Sequence, residues 1–197
     1  MLVTSLVSGA TGTAIELEEI KRHLRIPLGY THDDEYLESL LKVAQNWAEE
    51  YTNRKLLKQR WKLYLDNWPS GDSINLPYAP LSSAPSTAVR YKDSDSSTVT
   101  FASSQWELDT NSIPGRLCLK YNEDWPTATL WNVNPISIEF KCGYGNSSSD
   151  IPPEFKQAML LLIGDLYENR ENTLIGVVPH TMKVAEKLIA SKRVFKF

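Results

Sequence analysis

Residues 50–69, EYTNRKLLKQRWKLYLDNWP, hold the point at which this chain changes its hydrophobic period. Upstream of it, Leu37, Leu40, Leu41, Ala44, Trp47, Ala48 and Tyr51 recur at steps of three and four, which lays an apolar stripe along one face of an α-helix. From about Lys55 the pattern alternates. Leu57, Trp61, Leu63 and Leu65 fall on one side and Lys58, Arg60, Lys62 and Tyr64 on the other, as a half-buried strand requires. A helical segment therefore hands over to β structure inside one continuous stretch.

Working outward toward the N-terminus, Thr31 stands where it can cap the long helix. Asp33, Asp34 and Glu35 suit the positive end of its dipole. Pro27 and Gly29 separate it from a shorter helix carrying Ile15, Leu17, Ile20 and Leu24 on one stripe. Thr13 and Glu16 have the spacing of a capping box at the start of that helix. Residues 1–12 are small and polar enough to be a loose arm.

Working outward in the other direction, further strand candidates lie around Ile74–Leu76, Ala88–Lys92, Thr98–Phe101, Gln105–Leu108, Arg116–Tyr121 and Ile136–Cys142, parted by Pro, Gly, Ser and Asp clusters. Such spacing suggests a small antiparallel sandwich or barrel. CGYGNSSSD closes the β region, and helical character returns after Pro152 and Pro153, which fit a first turn where a missing N–H costs nothing. Phe155, Met159, Leu162, Ile163, Leu166 and Tyr167 form a wide apolar face. A last helix starts near Thr181, with Met182, Ala185, Leu188 and Ile189 as its stripe, and SKRVFKF follows. The expected class is α+β, a helical scaffold from both chain ends with an inserted antiparallel β sandwich or barrel-like lobe. Its parts are residues 1–54 (arm and scaffold helices), 55–146 (β lobe) and 147–197 (scaffold helices and tail).

Composition narrows the function classes. A chain of 197 residues, 42% hydrophobic and 23% charged, is long enough to bury a real core. A net charge of -3 argues against a chain that binds nucleic acid by neutralising phosphates along its whole surface. The charge is uneven, with five Lys/Arg against nine Asp/Glu in residues 1–54 and five against one from Thr181 to Phe197. An acidic start and a basic tail suit self-association or docking on an acidic partner; solvated helix faces give the same pattern. Cys118 and Cys142 form neither a disulfide framework nor a metal-ligand spacing, which fits a reducing cytoplasm. The first residues lack the basic start of a signal peptide, and no stretch approaches the roughly 18–20 apolar residues of a membrane span.

Motifs for chemistry are sparse. His23, His32 and His180 are scattered, so no convergent zinc set forms. Neither a nucleophile elbow nor a Walker-type phosphate loop occurs, and Gly143–Gly145 reads as a turn after a strand. No enzymatic activity and no cofactor is expected. Trp61, Trp68, Trp106, Trp125 and Trp131 all fall in the β region; alternating aromatics there read as core and cross-strand pairs, with a stacking platform as the other reading.

The order of these pieces carries a resemblance. LEEIKRHLRI, then DDEYLESLLKVAQNWAEEYTNRKLLKQRWKLYLDNWP with its Y-T-x-R, then INLPYAPLSS, AVRYKD, FKCGYG and IPPEFKQAMLLLIGDLYENRE, resembles the head–tail connector (adaptor or head-completion) proteins of long-tailed bacteriophages across nearly the whole chain. Cys142 departs from the pattern, standing where a small residue is usual. The resemblance implies a homo-oligomeric ring, usually of twelve copies, attached to the portal protein at the head–tail junction of a virion and made in the bacterial host cytoplasm. It further implies non-specific passage of double-stranded DNA through the ring, a surface for the next neck or tail-completion protein, and no catalysis.

That expectation bears on AMLLLIGDLYENRE, Ala158–Glu171, a helix that is core for two turns and then abruptly charged. A ring subunit meets its neighbours through two different faces, a heterologous contact closed by rotation. Glu168, Arg170 and Glu171 would pair across that seam, and Leu174, Ile175, Val177 and Val178, apolar for a free loop, would be covered by the neighbour. The alternative is a loop folded back on its own β lobe. Arg193, Val194, Phe195, Lys196 and Phe197 are the candidate portal-docking residues, with a tail packed on its own last helix as the alternative. Acids of the N-terminal helical region are candidates for a channel lining that lets DNA slide. Two other classes stand beside the ring subunit: a monomeric module whose β lobe binds carbohydrate or peptide, and a hydrolase without a recognisable motif.

Overall fold

The structure, a computed structural model, describes residues 3–169 and 180–194. Two compact units emerge, one β and one helical, each drawn from separated parts of the chain. The α+β class read from the sequence holds.

The β unit takes in residues 3–10 and 58–144. Its strands are β1 (Val3–Ser8), β2 (Gln59–Leu65), β3 (Ser73–Asn75), β4 (Leu81–Ser83), β5 (Val89–Lys92), β6 (Thr98–Thr100), β7 (Trp106–Asp109), β8 (Arg116–Leu119) and β9 (Ile136–Cys142). A six-stranded sheet runs β1-β2-β9-β5-β6 with β4 also on β9, and a three-stranded sheet runs β3-β8-β7; every pairing is antiparallel. The centre is β9, whose Ile136, Ile138, Phe140 and Cys142 alternate strictly inward. Opposite it, Leu63 faces Ile138 and Trp61 faces Phe140. Ile74, Leu117 and Trp106 of the second sheet join the same core as Leu63, Val89 and Phe140, which makes the pair of sheets a small sandwich.

One expectation is corrected here. Val3–Ser8 lie inside the stretch read as a loose arm, yet they pair with β2 from Val3 opposite Tyr64 to Ser8 opposite Arg60. Thr4 and Ser5 lie within hydrogen-bonding distance of the Tyr78 and Tyr64 hydroxyls. Val3, Leu6 and Val7 remain exposed, so the strand is an edge that buries little and leaves no inward apolar stripe to read. β4 was not anticipated either, being three residues among prolines and serines.

The helical unit takes in residues 11–57 together with the described residues from 145 onward to 194. Its helices are α1 (Leu17–His23), α2 (Asp34–Thr52), α3 (Pro153–Glu168) and α4 (His180–Ile189), the last running into a 3-10 turn, Ala190–Lys192. Leu37, Leu40, Leu41, Ala44 and Ala48 of α2 are buried, as are Phe155, Ala158, Met159, Leu162 and Ile163 of α3 and Ala185 and Ile189 of α4. Trp47 and Leu166, on the same stripes, are half-buried. Pro153 opens α3 as its first residue.

The helix starts differ from the sequence reading. Thr13 donates its hydroxyl to the Glu16 carboxylate, so the two satisfy each other, and α1 begins after Glu16 with no side-chain cap. Asp33, not Thr31, holds the cap position of α2, again without a side-chain cap bond. The α1–α2 loop is closed instead by a buried ammonium. Lys21 Nζ reaches Asp34 Oδ1 at 2.6 Å and the carbonyls of Tyr30 and Leu28 at 2.8 and 3.3 Å. Those acceptors replace the water that burial removes.

Candidate functional site

The described candidate residues, Glu168, Arg193 and Val194, lie at two ends of the helical unit. The first is the C-terminal end of α2. Asn53 ends the helix in the left-handed conformation, at φ 53°, a role its short polar side chain tolerates. Arg54 N–H donates back to the Glu49 carbonyl. The Glu49 carboxylate is buried, and it gathers the Lys55 ammonium at 2.8 Å, the Leu56 N–H at 3.1 Å and the Gln45 amide at 3.1 Å. A single buried acid thereby fixes the turn that carries Asn53 and Arg54.

Onto this turn folds the segment after α4. Val194 N–H donates to the Thr52 carbonyl at 2.9 Å, and the Asn53 side-chain amide donates to the Val194 carbonyl at 2.6 Å. The buried Arg54 donates Nε to the Lys192 carbonyl at 2.6 Å. Arg193 lays its guanidinium over the Tyr51 ring at 5.4 Å, and Tyr51 is itself stacked on Trp47. Lys192 pairs with Glu154 at the start of α3. Glu154 is held below the usual carboxylate range first by its own backbone N–H and then by Lys192. Of the five docking candidates, Val194 is buried and Arg193 is engaged on α2 of its own subunit. Phe195, Lys196 and Phe197 lie outside the described residues.

The second end is the C-terminus of α3. Tyr36 of α2 donates its hydroxyl to the Leu166 carbonyl at 3.3 Å, and Tyr167 donates to Asp33 Oδ2 at 2.6 Å. Asn169 caps the helix by donating its amide to the Asp165 carbonyl. These bonds explain how the helix changes character: its apolar turns are spent in the core by Ile163, and its last turn is tied by polar tips to the start of α2. Glu168 projects into solvent from that last turn. Arg170, Glu171, Leu174, Ile175, Val177 and Val178 lie outside the described residues.

The sequence reading named Arg193 and Val194 but not the residues that receive them. Tyr51, Thr52, Asn53 and Arg54 are the Y-T-x-R run, which offered a signal without revealing its partner.

Other chemistry finds little support among the described residues. No three His, Cys, Asp or Glu side chains converge on a metal position. Burial pushes the Cys118 thiol up, the direction that disfavours a reactive thiolate, and Cys142 is wholly buried. Asp109 is held well below the usual carboxylate range, first by the Ser112 hydroxyl and then by Arg116, in the β7–β8 turn, where both bonds are local. Trp68 and Trp125 stack on each other at 4.9 Å, with Phe101 and Tyr91 against Trp68, so their faces serve the sandwich. Among the described residues no helix is long and apolar enough to cross a membrane.

Comparison with known proteins matches the resemblance read from the sequence. Residues 14–97, a little under half of the chain, match the model of the phage gp6-like head-tail connector protein family. Among solved structures, the chain is similar to one in the neck of an empty gene transfer agent (GTA) particle computed with C6 symmetry. The two share 27% identity over 99% of this chain and 97% of that one, with a TM-score of 0.81. A chain of the native GTA virion aligns over the same shares at 26% identity and a TM-score of 0.78. One from the neck of a native GTA particle computed with C12 symmetry does so at 26% identity and 0.75. No curated protein matches.

Proposed function

We propose that this protein is a structural subunit of a virion neck: a ring, attached to the portal, that joins the DNA-filled head to the tail and continues the channel through which DNA leaves. The observation that carries the reading is the end-to-end similarity to the GTA neck chain, helical unit and β unit together, at a TM-score of 0.81. The connector-family match over residues 14–97 supports it independently of the fold. Symmetric neck rings in those particles support a ring here, and the heterologous contact such a ring needs would use the α3 end, with Glu168 at its described edge and residues 170–178 beyond.

In this reading the subunit contributes surface, not catalysis. Phe195 and Phe197, at the end of a basic segment, supply apolar side chains for a portal pocket, with Lys196 between them. Arg193 and Val194 serve as the root of that tail. DNA moves through a channel that does not grip phosphates, so basic residues are kept off the lumen and acids of residues 1–54 are favoured there.

The test is reconstitution with the cognate portal ring, read by pull-down and by electron microscopy of the decorated portals. The full chain should add a symmetric ring of density, and deletion of Phe195–Phe197 should abolish decoration while leaving the subunit folded. A truncated protein that still decorates portals removes the tail from the docking role. A full chain that never binds portals removes the neck reading itself.

A further inference from the structure

The root of the tail is built more firmly than a loose docking arm requires. Three backbone groups of residues 192–194 are taken up by three consecutive residues at the end of α2: the Lys192 carbonyl by Arg54, the Val194 N–H by Thr52 and the Val194 carbonyl by Asn53. Such regular engagement fixes the backbone of residues 192–194 against the end of α2. Asn53 can present its amide to Val194 only because its backbone turns left-handed at the helix end. Tyr51, one residue further back, holds Arg193 through its ring, and Lys192 is tied to Glu154.

We infer that Tyr51–Arg54 form a bracket that fixes the tail's point and direction of departure, which makes Asn53, Arg54 and Tyr51 positioning residues for docking. This rests on the portal-docking reading of the residues beyond Val194. The physical advantage is preorganisation. A flexible terminal segment loses conformational freedom on binding, whereas a segment whose root is already fixed has fewer residues left to order. Arg193 and Val194 are spent inside their own subunit, so in this reading they serve as the root and the docking role falls to the three residues that follow.

The test uses the full chain carrying Asn53→Gly with Tyr51→Leu. Glycine keeps the left-handed conformation and deletes only the amide donor, and leucine keeps an apolar side chain but removes the ring under Arg193. Three measurements are made on wild type and variant: thermal melting, hydrogen exchange at the Val194 amide, and affinity for the cognate portal. The expected result is a melting curve within a few degrees of wild type, Val194 exchange faster by about tenfold or more, and portal affinity weaker by about tenfold or more. Exchange at the wild-type rate overturns the bracket. Faster exchange with unchanged portal affinity, in a protein whose Phe195–Phe197 deletion does abolish binding, overturns the positioning role. If that deletion leaves binding intact, the docking reading falls and takes the positioning role with it, while the exchange result still decides whether the bracket exists.

Discussion

Glu49 is the residue on which the shape of the α2 end depends, and its replacement gives a prediction with a size. Its side chain is 4% exposed and that of its partner Lys55 is 16% exposed, so the pair is largely withdrawn from water. Glu49→Ala strands the Leu56 N–H, a cost of about 1–3 kcal/mol for a buried unsatisfied donor. It also leaves the Lys55 ammonium without its carboxylate; breaking a fully buried pair costs about 3–5 kcal/mol, and the residual exposure of Lys55 places this case at or below the low end. The combined expectation is a loss of about 3 kcal/mol in urea unfolding followed by far-ultraviolet circular dichroism. Glu49→Gln keeps an oxygen for Leu56 but sets an amide donor against the Lys55 ammonium, so a loss of about 1–3 kcal/mol, no larger than that of alanine, is expected. Adding Lys55→Met to Glu49→Ala should recover part of the loss, because an apolar side chain needs no partner. If Glu49→Ala unfolds within 0.5 kcal/mol of wild type, on the order of an ordinary surface change, the turn does not depend on this acid and the reasoning fails.

Three further expectations follow from the packing. Leu162→Ala, in the buried face of α3, should cost about 2–5 kcal/mol, and an unchanged denaturation midpoint would contradict the helical core described above. At Gly12 an added Cβ would overlap the Asn146 carbonyl oxygen, so Gly12→Ala must move backbone and should destabilise by about 1–3 kcal/mol, read from the same unfolding curves. Asp109 has a folded-state pKa depressed below its ordinary value of 3.8, so its contribution is present above about pH 4 and is lost as pH falls through the lower folded value. Wild type should therefore exceed Asp109→Asn in stability at neutral pH, and the gap should narrow as acid is added below pH 4; a gap that is constant with pH would mean the carboxylate's charge plays no part.

How much of this was legible depends on where each residue finds its partner. The β9 alternation of Ile136, Ile138, Phe140 and Cys142 is a local signal and reads directly, as does the stripe of α2. Glu49 and Glu50 stand side by side and look equally solvent-bound, yet Glu49 is buried and Glu50 exposed. What separates them is the chain turning back at Asn53, which composition does not announce. Asn53 and Arg54 bond to carbonyls 141 and 138 residues away, so their role at the tail root lies beyond any window of periodicity. Thr13 misled for the opposite reason, since its Glu16 partner is real but satisfies the hydroxyl rather than a helix N–H. The resemblance to connector proteins was carried by the order of weak motifs, and the Y-T-x-R among them has a physical meaning in the bracket.

The interleaving of the two units also sets a timetable for synthesis. α2 ends at Thr52, and the helix it packs with begins at Pro153. At about 5–20 residues per second, the ribosome leaves the apolar face of α2 waiting about 5–20 s for its partner. The central strand β9 ends at Cys142, ahead of α3 in the chain, so the sheet can close before α3 has emerged to pack. The β unit thus matures first, while the first two helices remain clients for any chaperone that binds exposed apolar surface. Only when residues 192–194 have been translated can the α2 end take up its last backbone partners. The helical unit is thereby the last part of the chain to close.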